Sequence, residues 1–394
     1  MLGRPERHFA AVHVGGTNGK GSTSTMLYEA VRAAGWRVGL YTSPHLVSFR
    51  ERIVVDGVPI PEAAVVEWTE RLRPVAERRN ASFFEITTAI AFADFAARGV
   101  DVAVVEVGLG GRLDATNVLA PLAAGVTRVA LEHTEYLGAD LPSIAREKAG
   151  IAKPGVPFVT TEPDPEVAAV LEAEAVSRGA AYERLVVADA VSGLRTGPDG
   201  CLFDLGTPAR RYAGLRAAMG GVHQAANASL AVRLAELLPG SYGVDEASIR
   251  TGLAAARVSG RLDRRGRWLF DVAHNPDGAR ALVAALAASP PPRPLAGVVA
   301  VLGDKAWREM LSVLAPAVDV LVLTRAPSAP AERAWSLDEV AEWCRGEGIA
   351  AVAEPDFDRA LARGSAEART VLVCGSFHTV GDAMARLPGT APLG

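Results

Sequence analysis

The stretch "HVGGTNGKGS", His13 to Ser22, constrains the fold of this chain more than any other. Apolar "HFAAVHVGG" reads as a buried strand, Gly15 to Gly21 as a flexible turn, and "STSTMLYEAVRAAG" as a helix capped at its C-terminus by Gly35. Strand, glycine loop, helix is the context that a phosphate-binding loop needs. Glycines turn backbone N–H groups inward beside a helix N-terminus, and Lys20 adds a point charge for the outer phosphates. Gly16, Thr17, Asn18, Gly19, Lys20, Gly21 and Ser22 are therefore expected to bind a nucleotide. The pattern departs from G-x-x-x-x-G-K-S/T, because Val14 stands at the first glycine and Gly21 follows the lysine. A hydroxyl for a phosphate-bound metal must then come from elsewhere in the chain.

The same rhythm continues downstream. "WRVGLYTS" reads as a strand, Pro61 to Arg79 and "FFEITTAIAFADFAARG" as helices, and "VDVAVVEVG" as a buried strand, so the fold class is α/β with a mostly parallel sheet. From Val187 to Gly214 short alternating runs with turn residues predict antiparallel hairpins on the edge of that sheet. Two helices follow, "HQAANASLAVRLAELL" and "DEASIRTGLAAAR", and "VSGRLDRRGRWLFDVAHNP" restarts the strand–loop–helix order. A chain of 394 residues suits two domains, and the boundary is expected near Ser259, giving 1–258 and 259–394. The prolines of "SPPPRP" then form a loop between a helix and a strand.

With 49% hydrophobic and 22% charged residues the composition is that of a globular protein. A net charge of −4 gives no electrostatic case for nucleic acid or an anionic membrane as partner. Cys201, Cys344 and Cys374 are isolated and odd in number, which supports neither a disulfide framework nor a zinc site and fits a reducing cytoplasm. No signal peptide opens the chain, and apolar runs such as "LAGVVAVLG" are too short to span a bilayer.

"LYTSPHLVSFRERI" (Leu40 to Ile53) is a polar loop directly after a strand, where the carboxyl edge of the sheet exposes it. Together with "VEVGLGGRLDATN", "EHTEYLG", "REKAGIAKPG", "HQAANA", "DVAHNP" and the glycine loop, it resembles the folylpolyglutamate synthase and dihydrofolate synthase family of the Mur ligase superfamily. The resemblance runs from about Phe9 to the end, in order. It implies a Mur-ligase-like P-loop ATPase domain and a smaller Rossmann-like C-terminal α/β domain. It also implies an ATP-dependent ligase that adds L-glutamate to dihydropteroate or to reduced folyl-(poly)glutamates through an acyl phosphate.

The family's roles map onto particular residues. Ser43 of the T-S-P loop matches the first Mg²⁺ ligand, and Glu106 and His133 match the others. Lys148 matches the lysine that becomes carbamylated in many relatives near a second metal ion. Asn227, Arg261 and Asp271 match nucleotide contacts, with Arg261 on the phosphates and Asp271 on the ribose, and His274 belongs beside the same cleft. Lys20, Lys148 and His274 are the expected catalytic set. Thr42, Phe83, Leu113, Asp114 and Ala115 are the expected pterin wall, with Phe83 as a stacking face. ATP and two Mg²⁺ ions are the implied cofactors, K⁺ is a third candidate, and a monomer is expected. Taken alone, His133 reads as a helix cap or buried hydrogen-bonding histidine rather than a metal ligand, and Lys148 as a solvated helix lysine.

The chain departs from the family at Glu132, where Asp is commoner, at Val272, where Gly is, and at Ala306, where an acidic residue is. "MLGRPERHFAAVHVG" is too short to hold the pterin-enclosing loop of the dihydrofolate synthase branch. The expectation is a start upstream of Met1 or a pterin held by fewer contacts. A cell-wall ligase acting on a UDP-sugar peptide is a rival reading, opposed by the G-K-G-S form and by the lack of room for a UDP-binding domain. A nucleotide-dependent switch would account for the loop but not for "TSPHL", "LDATN" or "REKAGI".

Overall fold

The structure is a computed structural model that describes residues 2–366 and 368–392. Eight strands form the first sheet, in the order β4 (Val58–Pro59), β3 (Ile53–Val55), β2 (Val38–Tyr41), β5 (Val102–Glu106), β1 (Ala10–Gly15), β6 (Ala123–Val126), β7 (Pro157–Thr160), β8 (Ala181–Arg184). All neighbours pair in parallel except β2 with β3 and β3 with β4. The central strands carry side chains buried on both faces, which is why they read as continuous apolar runs. On one face Val12 and Val14 pack with Met26, Leu27 and Val31 of the helix Lys20–Ala33 and with Leu230 and Leu234 of the helix His223–Glu236. On the other, Ala11, Ala103 and Val105 meet Ile90, Phe92 and Phe95 of the helix Phe83–Ala97.

The hairpins after Val187 are present but not on the sheet's edge. β9 (Val191–Gly197), β10 (Gly200–Gly206) and β11 (Arg211–Ala217) make a separate three-stranded antiparallel sheet. Phe203, Leu205, Tyr212 and Leu215 join the core built on the helices Lys20–Ala33 and His223–Glu236, so helix burial and not strand pairing holds this sheet in place. The short β3–β4 hairpin was also not foreseen. Its turn is Asp56-Gly57, with both residues at positive φ (52° and 81°) as a type I′ turn requires.

The third sheet has the order β12 (Asp263–Arg265), β13 (Trp268–Asp271), β17 (Thr370–Cys374), β14 (Leu295–Val299), β15 (Val320–Leu323), β16 (Ala351–Ala353). It is parallel except for β12. Helices cover both faces: Pro276–Ala288, Trp307–Leu314 and Leu337–Gly346 lie over one, Phe357–Ala366 and Phe377–Arg386 over the other. The proline cluster falls between the helix ending at Ala288 and β14. Among the described residues no helix is long and apolar enough to cross a membrane, and the three cysteines are free and buried.

Candidate active site at the junction of the two sheets

The glycine loop is held in a shape that side chains would forbid. Gly16 has φ 135°, and a Cβ there would lie 1.8 Å from Thr127 Oγ1; Gly19 has φ 96°, and a Cβ would lie 2.2 Å from Asn227 Oδ1. Thr17 fixes the loop to the segment after β6: its N–H donates to the Arg128 carbonyl (2.8 Å) and its hydroxyl to the Ala130 carbonyl (3.1 Å). Behind the loop, Asn227 donates to Gln224 (2.9 Å), and Gln224 donates to Ser22 Oγ (3.4 Å). Lys20 Nζ donates to the Thr17 carbonyl (3.1 Å) and stands 4.0 Å from Glu106 Oε1. Asn18 turns toward the third sheet's layer, donating to Asp277 (2.8 Å) and exchanging hydrogen bonds with Asn275 (3.3 and 3.1 Å).

Glu106 ends β5 with its side chain buried, and its Oε2 accepts from the Ser43 N–H (3.1 Å). Burial pushes its carboxyl pKa up even though Lys20 pulls it down, which marks a desolvated carboxylate that gains from a cation. His133, at φ 52°, opens the short helix Thr134–Leu137. Crowding by the surrounding protein lowers its pKa to about 4, although about 40% of the side chain stays exposed, so its ring is a neutral donor at neutral pH. Ser43, Glu106, His133, Lys20 and Lys148 line one cavity of about 110 Å³. Among the described residues no group of three or more His, Cys, Asp or Glu could cage a metal alone. One hydroxyl, one carboxylate and one imidazole suit an Mg²⁺ ion that takes its other ligands from phosphates and water.

Lys148 is buried, and its Nζ donates to the Gly16 carbonyl (2.8 Å), which overturns the solvated-lysine alternative. Burial, helped by the charge of Lys20, brings its pKa down to about 7. Glu132 meets His274 Nε2 at 2.8 Å and Lys305 Nζ at 3.4 Å. Burial alone would raise its carboxyl pKa, but the His274 hydrogen bond and the charges of His274, Lys305 and Lys20 hold it well below the usual range. His274 Nδ1 lies 2.9 Å from the Val272 carbonyl, and its ring lines the same cavity. Arg261 lines it too, with its guanidinium 5.7 Å from the Phe377 ring centre. Asp271 is buried, and its oxygens accept from the Leu262 and Ala273 N–H groups (2.9 Å each).

The residues of the expected pterin wall lie in different settings. Thr42 lines a cavity of about 430 Å³ with Ser43, Glu106, Arg257 and Arg261. Phe83 and Leu113 are 60% and 79% exposed, and Ala115 begins the short helical turn Ala115–Val118. The Asp114 carboxylate faces inward and accepts from the N–H groups of Gly108, Leu109 and Thr116 and from the Thr116 hydroxyl. A further cavity of about 540 Å³ adjoins the metal site through Glu132, His133 and His274, and brings Arg52, Lys305 and Arg333 together. Sequence reasoning passed over these three cations. Arg52 is the most telling: it is buried, donates to His45 Nδ1 (2.7 Å), and its guanidinium lies 5.4 Å from the Phe83 ring centre. It stands inside the quoted "FRERI", and the signal available was an arginine opening an apolar strand.

Two family descriptions match the chain: the Mur ligase middle domain over residues 14–235 and the Mur ligase glutamate ligase domain over 257–377. Fold and loop together define an ATP-dependent carbon–nitrogen ligase of the Mur type. Folylpolyglutamate synthase of Lacticaseibacillus casei is 35% identical over 341 residues, 84% of this chain and 79% of the relative. The dihydrofolate synthase/folylpolyglutamate synthase of Escherichia coli is 37% identical over 378 residues, 94% and 85% of the two chains. Among solved structures, Mycobacterium tuberculosis folylpolyglutamate synthase complexed with ADP and AMPPCP superposes with a TM-score of 0.89 at 36% identity, covering 98% of this chain and 92% of that one. The Escherichia coli FolC protein in complex with DHPP and ADP superposes with a TM-score of 0.85 at 32% identity, covering 98% and 91%. This chain belongs to the folylpolyglutamate synthase and dihydrofolate synthase family.

Proposed function

We propose that the chain joins L-glutamate to dihydropteroate, to reduced folyl-(poly)glutamates, or to both, at the expense of ATP. The observation that carries this is the single cavity on which Lys20, Ser43, Glu106, His133 and Lys148 converge, beside a chamber lined by Arg52, Lys305 and Arg333. A carboxylate is a poor electrophile and must be activated. Backbone N–H groups of Gly16 to Ser22 hold the triphosphate, and Lys20 and Arg261 neutralise charge as a carboxylate oxygen of the acid attacks the γ-phosphorus and ADP departs. Ser43, Glu106 and His133 would hold Mg²⁺, which when bound supplies further charge stabilisation on the phosphates. The amine of glutamate then attacks the acyl carbon, and phosphate leaves with the oxygen that attacked it. Arg52, Lys305 and Arg333 suit the carboxylates of the incoming glutamate and of a glutamyl tail. His274 and Glu132 border both cavities and so flank the path of the amine.

Asn227 and Asp271 complete the proposed nucleotide site by supporting its loops, and Thr42, Phe83, Leu113, Asp114 and Ala115 the acid site. Lys148 is proposed to carry a carbamate: an amine with a pKa near 7 is partly unprotonated at neutral pH, as attack on CO₂ requires. Residues 1–258 are proposed as the ATP- and folate-binding unit and 259–394 as the glutamate-ligase unit, acting as a monomer in the cytoplasm. The test is incubation with ATP, Mg²⁺ and glutamate, with dihydropteroate and tetrahydrofolate supplied separately. ADP formation that depends on acid and amine, with a product heavier by one glutamyl residue, is expected. Slow hydrolysis insensitive to both would support the nucleotide switch instead.

A further inference from the structure

His13 is a buried titratable group that the proposed reaction does not use. His13 lies in β1, in the middle of the first sheet and directly before the glycine loop, and is fully buried. Strand alternation puts it on the same face as Ala11, away from Val12 and Val14, and hence under the loop that follows β5. Its Nε2 lies 2.7 Å from the hydroxyl of Thr116, also fully buried, and that hydroxyl donates to Asp114 Oδ1. Asp114 Oδ2 in turn accepts from the N–H groups of Gly108 (3.1 Å) and Leu109 (2.8 Å).

The proton positions follow from this chain. A carboxylate only accepts, so the Thr116 hydrogen points at Asp114, and the Thr116 oxygen must accept from His13. His13 therefore carries its hydrogen on Nε2, and its Nδ1 is buried without a partner among the described residues. Burial keeps the ring neutral, lowering its pKa to about 3. A leucine would fill such a place without leaving a buried nitrogen unpaired, so the Nε2 donor is the feature that distinguishes histidine here.

We propose that His13 is a positioning residue for the acid substrate: through Thr116 it orients Asp114 and thereby fixes the loop 108–116, which carries the Leu113 and Ala115 assigned to the acid site. This rests on the assignment of that loop to the acid site made above. A residue that only filled the core would lower stability and leave substrate selectivity untouched. One that sets the loop raises KM for the acid while KM for ATP and kcat stay close to wild type.

The experiment compares His13→Leu, His13→Asn, His13→Gln and the near-isosteric Thr116→Val in the full chain. Glutamine places an amide donor close to the position of Nε2, whereas asparagine reaches only the position of Nδ1. Leu, Asn and Thr116→Val are expected to raise KM for dihydropteroate about tenfold, about 1.4 kcal/mol. Gln should restore it, and His13→Leu combined with Thr116→Val should be no worse than either alone. Hydrogen exchange supplies an arm independent of activity: the Gly108 and Leu109 amides should lose protection in Leu and Thr116→Val and keep it in Gln. Should the His13 variants fail to fold, Thr116→Val decides both arms. If wild type accepts tetrahydrofolate but not dihydropteroate, KM is read for tetrahydrofolate; if it forms an amide from neither, the functional assignment fails and exchange alone decides the positioning role. Unchanged KM with unchanged protection at 108 and 109 overturns the proposal, as does an equal rise in KM for ATP.

Discussion

Single residues here owe their chemistry to burial. If Lys148 carries a carbamate, Lys148→Ala removes a negative group from beside the phosphates, and turnover should fall about 100-fold or more. A short added carboxylate, such as acetate, should then restore part of it. No rescue across a titration of acetate would assign Lys148 an ordinary cationic role. Burial also sets the response to acid. It lowers the pKa of His13 from 6.5 to about 3 and that of His223 from 6.5 to about 4. Between those values and 6.5 only the unfolded chain takes up the protons, so their contribution to stability is full above about pH 6.5 and is lost as pH falls toward 4. Urea midpoints should decline across that window, and less steeply in His13→Gln. A midpoint flat from pH 7 to 4.5 would contradict the burial argument. Local pattern singled out Lys20 in its glycine loop, whereas Ser43 and Glu106 were singled out by the family resemblance, and all three line the cavity at the junction. The sequence could not reveal that Asp114 and Asp271 turn their carboxylates onto backbone N–H groups, because that depends on loop paths and not on spacing.

At the scale of elements, apolar runs, glycines and caps made the alternation of strands and helices readable, and the helices Glu62–Arg79 and Phe83–Ala97 begin and end close to where the pattern put them. The β3–β4 hairpin was legible in "VVDGVP" and was overlooked; the Asp-Gly turn was its signal. The position of the three-stranded sheet was not legible, since alternation fixes pairing but not which helices will cover Phe203 and Leu215. The glycine loop gives the sharpest test at this scale. Gly19→Ala would force a side chain to φ 96° and into Asn227, with strain of about 1–3 kcal/mol, or roughly 5- to 150-fold in ATP affinity. Adding Asn227→Ala should recover only the part due to the clash. Calorimetric titration with ATP measures both, and wild-type affinity in Gly19→Ala would mean that the loop does not bind nucleotide in this shape.

For the whole molecule, the nucleotide loop itself is one of the surfaces on which the two sheets meet. Asp277 accepts from Asn18 (2.8 Å) and pairs with Arg128 (2.7 Å), while Glu132 holds His274 and Lys305. Motifs on either side were readable in the sequence, but the clasp between them was not, because its partners are more than a hundred residues apart and belong to different sheets. Under the proposed function the clasp would keep water from the activated acid. Asp277→Ala is therefore expected to lower turnover roughly 10- to 100-fold and to release ADP in excess of amide. Equal ADP and amide at wild-type rate would remove the clasp from the account.

The cavity at this junction is proposed to activate the carboxylate of the acid by phosphorylation. Dihydropteroate labelled with ¹⁸O in both carboxylate oxygens, turned over with ATP and glutamate, tests it directly. One labelled oxygen should appear in inorganic phosphate for each amide formed, and the other should remain in the amide carbonyl. Phosphate free of label, with amide formed at the normal rate, would contradict it.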